Sequence, residues 1–122
     1  MKLIKNIIDP DVLRKPDFVH GENNPPFTWA CSQCASENQL TFEQLLGMYA
    51  KGEQSFSIAE FRLFKEFYDI ANVQKSMGGG WPYFYQIQCP GCHKAYLLFL
   101  GIKEPKISCL VITIQAISEI SE

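Results

Sequence analysis

Two Cys-x-x-Cys pairs, Cys31 with Cys34 and Cys89 with Cys92, constrain this chain more than any other feature. A pair at that spacing brings two sulfurs to one point across a tight turn. Two pairs supply four thiolates, enough for a tetrahedron of metal to sulfur bonds of about 2.3 Å. The expected ligands are therefore Cys31, Cys34, Cys89 and Cys92, and the expected cofactor is one structural Zn²⁺. Four thiolates leave no open coordination position, so the pattern speaks to architecture before chemistry. Cys89-Pro-Gly-Cys92 reads as the stronger half, because Pro90 bends the chain and Gly91 tolerates the backbone angles that aim amides at a thiolate. Cys31-Ser-Gln-Cys34 lacks both aids.

At 122 residues and 47% hydrophobic content, the chain is expected to form a single domain, 1–122, with a core of its own. A net charge of -2 and a pI near 5.7 argue against a protein that relies on phosphate contacts. A zinc ion on four thiolates would add two further negative charges. The first residues hold only short apolar stretches broken by Lys5 and Asn6 and followed by Asp9-Pro10-Asp11, so no signal-peptide run is read there. Leu97 to Leu100 and Leu110 to Ile114 are strand-length, and no membrane span is expected. These features predict a reduced, cytoplasmic protein, where paired cysteines serve as metal ligands rather than disulfides.

Residues 1–26 read as an N-terminal segment and loop, with Asp9-Pro10-Asp11 starting one short helical turn and His20 to Pro26 forming a loop. Phe27 to Ala30 reads as a strand. A helical insertion is expected over 41–76. Thr41-Phe-Glu-Gln44 and Ser57-Ile-Ala-Glu60 both carry capping-box patterns, predicting helices over about 42–51 and 58–75. In the second, Leu63, Phe64, Phe67, Tyr68, Ile70 and Ala71 fall on one arc opposite Arg62, Lys65, Glu66, Asp69 and Asn72. Arg62 with Glu66 and Lys65 with Asp69 have ion-pair spacing. Gly78 to Gly80 supplies a flexible exit. Strands follow over Tyr83 to Gln88, Ala95 to Leu100 and Ile107 to Ala116, with Gly101 and Pro105 bounding a turn.

On Phe27 to Cys34 and Tyr83 to Ile117, around the two Cys-x-x-Cys pairs, the chain resembles a zinc ribbon. In that family two hairpin knuckles clasp one ion beside a three-stranded antiparallel sheet. The resemblance implies an α+β fold: an antiparallel sheet with an interrupted zinc ribbon and two inserted helices packed on one face. It departs from the compact pattern because residues 35 to 88 separate the half-sites and because His93 follows the last cysteine. It implies a fold, not an activity.

Other candidates read as structural. His93 points away from a filled site, His20 is an exposed loop residue, and Cys109 is a small buried hydrophobe inside its strand. Trp81, Tyr83, Phe84 and Tyr85 have too few interleaved cations for a base-stacking platform. No catalytic constellation can be assembled, so no enzyme is expected. The function expected is a zinc-stabilised protein-binding module with a protein partner, a toxin if the chain is a bacterial immunity protein. The alternatives are a nucleic-acid-associated zinc ribbon of transcription or replication, disfavoured by charge, and a structural adaptor subunit. Ala95 to Leu100 is apolar on both faces, which, with both helices on one side, calls for the N-terminal segment or a partner to cover the other.

Overall fold

A computed structural model describes residues 1–8, 16–52, 54–70, 80–107 and 109–121. The elements run β1 (Lys2–Ile8), β2 (Phe18–Val19), β3 (Phe27–Ala30), β4 (Glu37–Leu40), α1 (Phe42–Lys51), α2 (Ile58–Phe67), β5 (Trp81–Gln88), β6 (Ala95–Lys106) and β7 (Cys109–Ser121). It is an α+β arrangement. The main sheet is antiparallel in the order β1, β7, β6, β5, and β2 pairs with β7 as well. A separate hairpin joins β3 to β4.

Long strands β6 and β7 form where the sequence is rich in apolar and β-branched residues buried on both sides. Gly101 and Pro105 do not bound a turn as expected. Gly101 pairs with Pro82 on one side and Thr113 on the other, so β6 runs straight through it. Pro105 falls where the β6 to β7 register shifts, between Lys103 and Lys106, a place that does not require its missing N–H. The hairpin turns after Lys106, whose partner is Cys109. Cys109 is therefore half-buried at a strand end, not enclosed in mid-strand.

The two helices pack on opposite faces of the sheet, which corrects the single-face expectation. Alternation along β6 explains it. Tyr96, Leu98, Leu100 and Ile102 join Phe42 and Leu45 of α1, together with Phe18, Trp29 and Leu40. Leu97 and Phe99 face the other way and join Phe64 and Tyr68 of α2, with Phe84. A strand apolar on both faces has thus gained one helix per face, and the N-terminal segment adds cover to the α1 face through Phe18, with Ile7 and Ile8 packed beside it. On the α2 side the rings of Tyr68 and Phe99 lie 4.7 Å apart and those of Phe64 and Phe84 5.0 Å apart.

Strand β7 serves both clusters by changing phase. Phe99 pairs with Ala116 while Leu100 pairs with Ile114, leaving Gln115 as the extra residue of a bulge. Before it, Ile112 and Ile114 face α1; after it, Ile117 faces α1 while Ala116 faces α2. Gln115 is buried, and its Oε1 has no hydrogen-bond partner among the described residues.

Both capping boxes form as their sequences predict. The Thr41 hydroxyl accepts from the Gln44 amide and the Gln44 side chain from the Thr41 amide; Ser57 and Glu60 repeat this for α2. Helix α1 ends at Gly52, whose φ of 87° suits glycine. Helix α2 is interrupted after Phe67, where Tyr68 caps it and Asp69 adopts a left-handed φ of 51°, and Ile70 is again helical. The remainder of that expectation falls on residues 71–79, outside the described residues, as do Gly78 and Gly79. The expected turn at Asp9 to Asp11 lies outside them too. The spaced pairs Arg62 with Glu66 and Lys65 with Asp69 form no ion pair among the described residues; the bridges formed there join Glu119 to Lys94 and Lys5. Among the described residues, no helix is long and apolar enough to cross a membrane.

Candidate metal centre

The first knuckle is the turn of the β3 to β4 hairpin and the second is the turn of β5 to β6. Both are wound alike. The Cys31 amide donates to the Ser36 carbonyl and the Ala35 amide to the Cys31 carbonyl; in the second knuckle the Cys89 amide donates to Lys94 and the His93 amide to Cys89. Ala35 and His93, each following the second cysteine of its pair, carry φ of 62° and 63°. Cys31-Ser-Gln-Cys34, expected to be the weaker half, is thus built to the same plan as Cys89-Pro-Gly-Cys92.

Packing brings the knuckles together. The Sγ atoms of Cys31, Cys34, Cys89 and Cys92 all lie within 4.8 Å of one another, and Cys31 to Cys92 and Cys34 to Cys89 are each 3.6 Å. A tetrahedron of about 2.3 Å bonds has edges of about 3.8 Å, so the four sulfurs fit one ion. The four expected ligands are the ones assembled. Cys109 is not among them, and His93 is exposed. His20 is also exposed, its ring centroid 6.2 Å from that of Phe42.

Gly91 matters for space more than for the backbone angles expected of it. It is not in the positive-φ region, but a Cβ there would lie 3.3 Å from Ser36 Oγ and 3.5 Å from Cys34 Sγ. A side chain there would make Ser36 give by a few tenths of an ångström, so glycine eases the close approach of the knuckles.

Around the sulfurs stands a shell of donors that the cysteine pattern does not announce. Tyr96, fully buried on β6, has its hydroxyl 3.1 Å from Cys31 Sγ and accepts from the Ser32 amide at 3.0 Å. Its ring meets Trp29 edge-on, centroids 5.0 Å apart. The sheet thereby sets the position of the first knuckle. Ser36 Oγ lies 3.1 Å from Cys34 Sγ and 3.2 Å from Cys89 Sγ, and Asn38 Nδ2 reaches Cys89 Sγ at 3.7 Å. Outer groups of this kind orient ligands and tune the charge they carry.

These contacts separate the thiols electrostatically. Burial raises the Cys31 thiol, but the Tyr96 hydroxyl and the amides of Cys34 and Gln33 outweigh it and hold Cys31 below its ordinary value. The Ser36 hydroxyl and the Cys92 amide, with help from Gly91, bring Cys89 down to about 5 against the opposing effect of burial. At Cys92 the Lys94 amide favours the thiolate, yet burial and the neighbouring thiols Cys31, Cys34 and Cys89 prevail and push it up to about 11. Four sulfurs so close repel as they ionise, and one divalent cation removes that conflict. Burial and the Cys31 sulfur raise the Tyr96 phenol, which keeps its proton to donate.

Elsewhere the aromatic run on β5 is split between the faces. Phe84 and Tyr85 are buried in different clusters, and only Trp81 stands out, 65% exposed. Consecutive buried rings on opposite faces offer no continuous stacking platform. No protein-family model, no curated protein and no solved structure matches the chain, so its chemistry has to be read from its own residues.

Proposed function

We propose that this chain is a non-enzymatic, zinc-stapled protein-binding module. Four thiolates at tetrahedral spacing are the donor set of structural zinc, and an ion held by all four has no position for a substrate. The staple fixes the β3 to β4 hairpin against the end of the β5 to β6 hairpin and so makes β5 a firm edge. Trp81 carries the functional reading: a tryptophan left 65% exposed on that edge strand. Exposed aromatic anchors on rigid elements are where binding energy concentrates at protein interfaces. Ile58, 80% exposed, flanks the same strand.

The module works by occupying a partner's surface. Sequestration of a toxin by an immunity protein is one form of that activity, and co-expression against a panel of toxins tests it: protection should be specific to one toxin and scale with complex stoichiometry. Charge reversal at Glu22 or Glu104, both exposed, should slow association and leave metal content intact. Glu104 lies within β6, not in a loop, and Glu53 lies outside the described residues.

Two measurements test the reading. Elemental analysis of protein purified without added metal should find about one zinc per chain, lost in Cys89→Ser and kept in Cys109→Ala. A photo-crosslinking residue in place of Trp81, in the full chain within its native cells, should capture one protein in a discrete adduct. Crosslinking to nucleic acid, or to no macromolecule, would sink the module reading.

A further inference from the structure

Beside Trp81's strand, on the α2 side of the sheet, lies an open cavity of about 510 Å³ lined by Ile58, Phe61, Arg62, Lys65, Pro82 and Phe84. Ile58, Phe61, Arg62 and Lys65 recur at positions one, four, five and eight of α2, a single stripe of that helix. Phe61 and Phe84 form the wall where α2 meets β5, their ring centroids 6.4 Å apart and their planes at 65°. The groove is therefore apolar inside and cationic along the helix.

Among the described residues, no ion pair neutralises its two cations. Arg62 and Lys65 are both exposed. Glu60, close by on the helix, has a carboxylate oxygen committed to the Ser57 amide at 2.9 Å. In a chain of net charge -2, two cations lining an apolar cavity, with no ion pair among the described residues, are a local departure that selects for a partner carrying carboxylates.

The edge strand itself is guarded against strand addition at two points. Gln54 lays its side-chain amide along β5 as a short mock strand, Oε1 accepting from the Gln86 amide at 2.8 Å and Nε2 donating to the Gln86 carbonyl at 3.5 Å. Pro82 offers no N–H further along. Both devices protect an edge against another chain's backbone. A docking segment is therefore met mainly through its side chains.

Resting on the protein-binding reading, we infer that this groove takes an acidic, apolar segment of a partner protein. An aliphatic or aromatic side chain of the segment seats between Ile58, Phe61 and Phe84, and flanking carboxylates pair with Arg62 and Lys65.

The test uses the full metal-loaded chain and two synthetic fluorescent peptides of equal length, one alternating apolar with acidic residues and the other apolar with basic residues. Fluorescence anisotropy should show the acidic peptide binding at least tenfold more tightly than the basic one. Arg62→Glu with Lys65→Glu should weaken the acidic peptide at least tenfold and reverse the preference, and Ile58→Asp should weaken both peptides. Far-ultraviolet circular dichroism and zinc content, unchanged in each variant, establish that the fold is intact. Equal affinity for the two peptides, or acidic-peptide binding indifferent to the charge reversal, would overturn the inference. If crosslinking at position 81 still captures a single protein, the groove assignment fails alone; if it captures none, the module reading fails with it.

Discussion

Ala35 and His93 hold the same left-handed backbone, φ 62° and 63°, one residue past the second cysteine of each knuckle. Only glycine enters that region without steric cost, and for a side-chain-bearing residue the cost is about 1 to 2 kcal/mol. The knuckle hydrogen bonds impose it, since the amide of each of these residues closes the turn onto the first cysteine's carbonyl. Ala35→Gly and His93→Gly should therefore each stabilise the metal-loaded protein by up to about 1 kcal/mol after the greater unfolded-state freedom of glycine is set against the relief. Thermal unfolding at fixed zinc should show Tm rising by a few degrees. Ala35→Val should lower it.

Acidification should release the ion in step with protonation of the thiolates. Cys89 is the sulfur held lowest, at about 5, with the Ser36 hydroxyl as the first cause. A thiol lowered on folding contributes stability in full above its ordinary value, and the contribution is lost as pH falls through about 5. Removing that hydroxyl in Ser36→Ala should raise the Cys89 value and shift metal release to higher pH. A chromophoric zinc indicator followed through an acid titration checks the direction. A midpoint that stays put would mean that the hydroxyl serves Cys34 instead.

Tyr96→Phe should keep the fold and weaken the metal. The ring and its contact with Trp29 remain, while the donor to Cys31 and the acceptor for the Ser32 amide are lost. Loss of outer-shell partners typically costs about 10 to 100-fold in metal affinity. Competition with a chelator of known affinity reads this directly.

Two glycines should respond in opposite senses to alanine. Gly47 is inside α1 and a Cβ added to it would meet nothing within 4 Å, so Gly47→Ala should add up to about 1 kcal/mol of helix stability. Gly91→Ala would press on Ser36 Oγ and Cys34 Sγ and should loosen metal binding. Denaturant unfolding of both variants, with and without chelator, separates the helix effect from the metal effect.

Ser118→Ala should destabilise by about 1 to 3 kcal/mol, the cost of stranding buried polar groups. The Ser118 hydroxyl is fully buried, lies 2.5 Å from the Tyr68 hydroxyl and donates to Asn6 Oδ1, tying the end of α2 to β7 and β1. Burial raises the Tyr68 phenol, so it stays protonated at neutral pH. Pairing Ser118→Ala with Tyr68→Phe should cost less than the sum of the two changes, because the second removes one of the groups the first leaves unpaired.

The sequence carried the parts governed by local rules. Cysteine spacing named the four sulfurs, capping boxes located the starts of both helices, and β3 matched its strand reading residue for residue. What depended on distant partners was not legible. β1, β2 and β4 carry mixed or polar patterns, and pairing with β7 or β3 makes them strands. The opposite placement of the helices follows from alternation along β6, which a list of apolar residues conceals. Tyr96 has no spacing signal at all. It is 64 residues from Ser32 in sequence and reaches the four-cysteine cluster only because β6 passes beside the first knuckle.

An ion clasped by Cys34 and Cys89 closes a ring of chain that contains both helices. Closing a loop of this length removes about 4 kcal/mol of conformational freedom from the unfolded chain if the link persists there, as a disulfide's does. A metal link would not persist: it would have to be remade at each folding event. A metal-free chain would therefore meet that closure entropy without the link, and supply of the ion would set how many copies are folded.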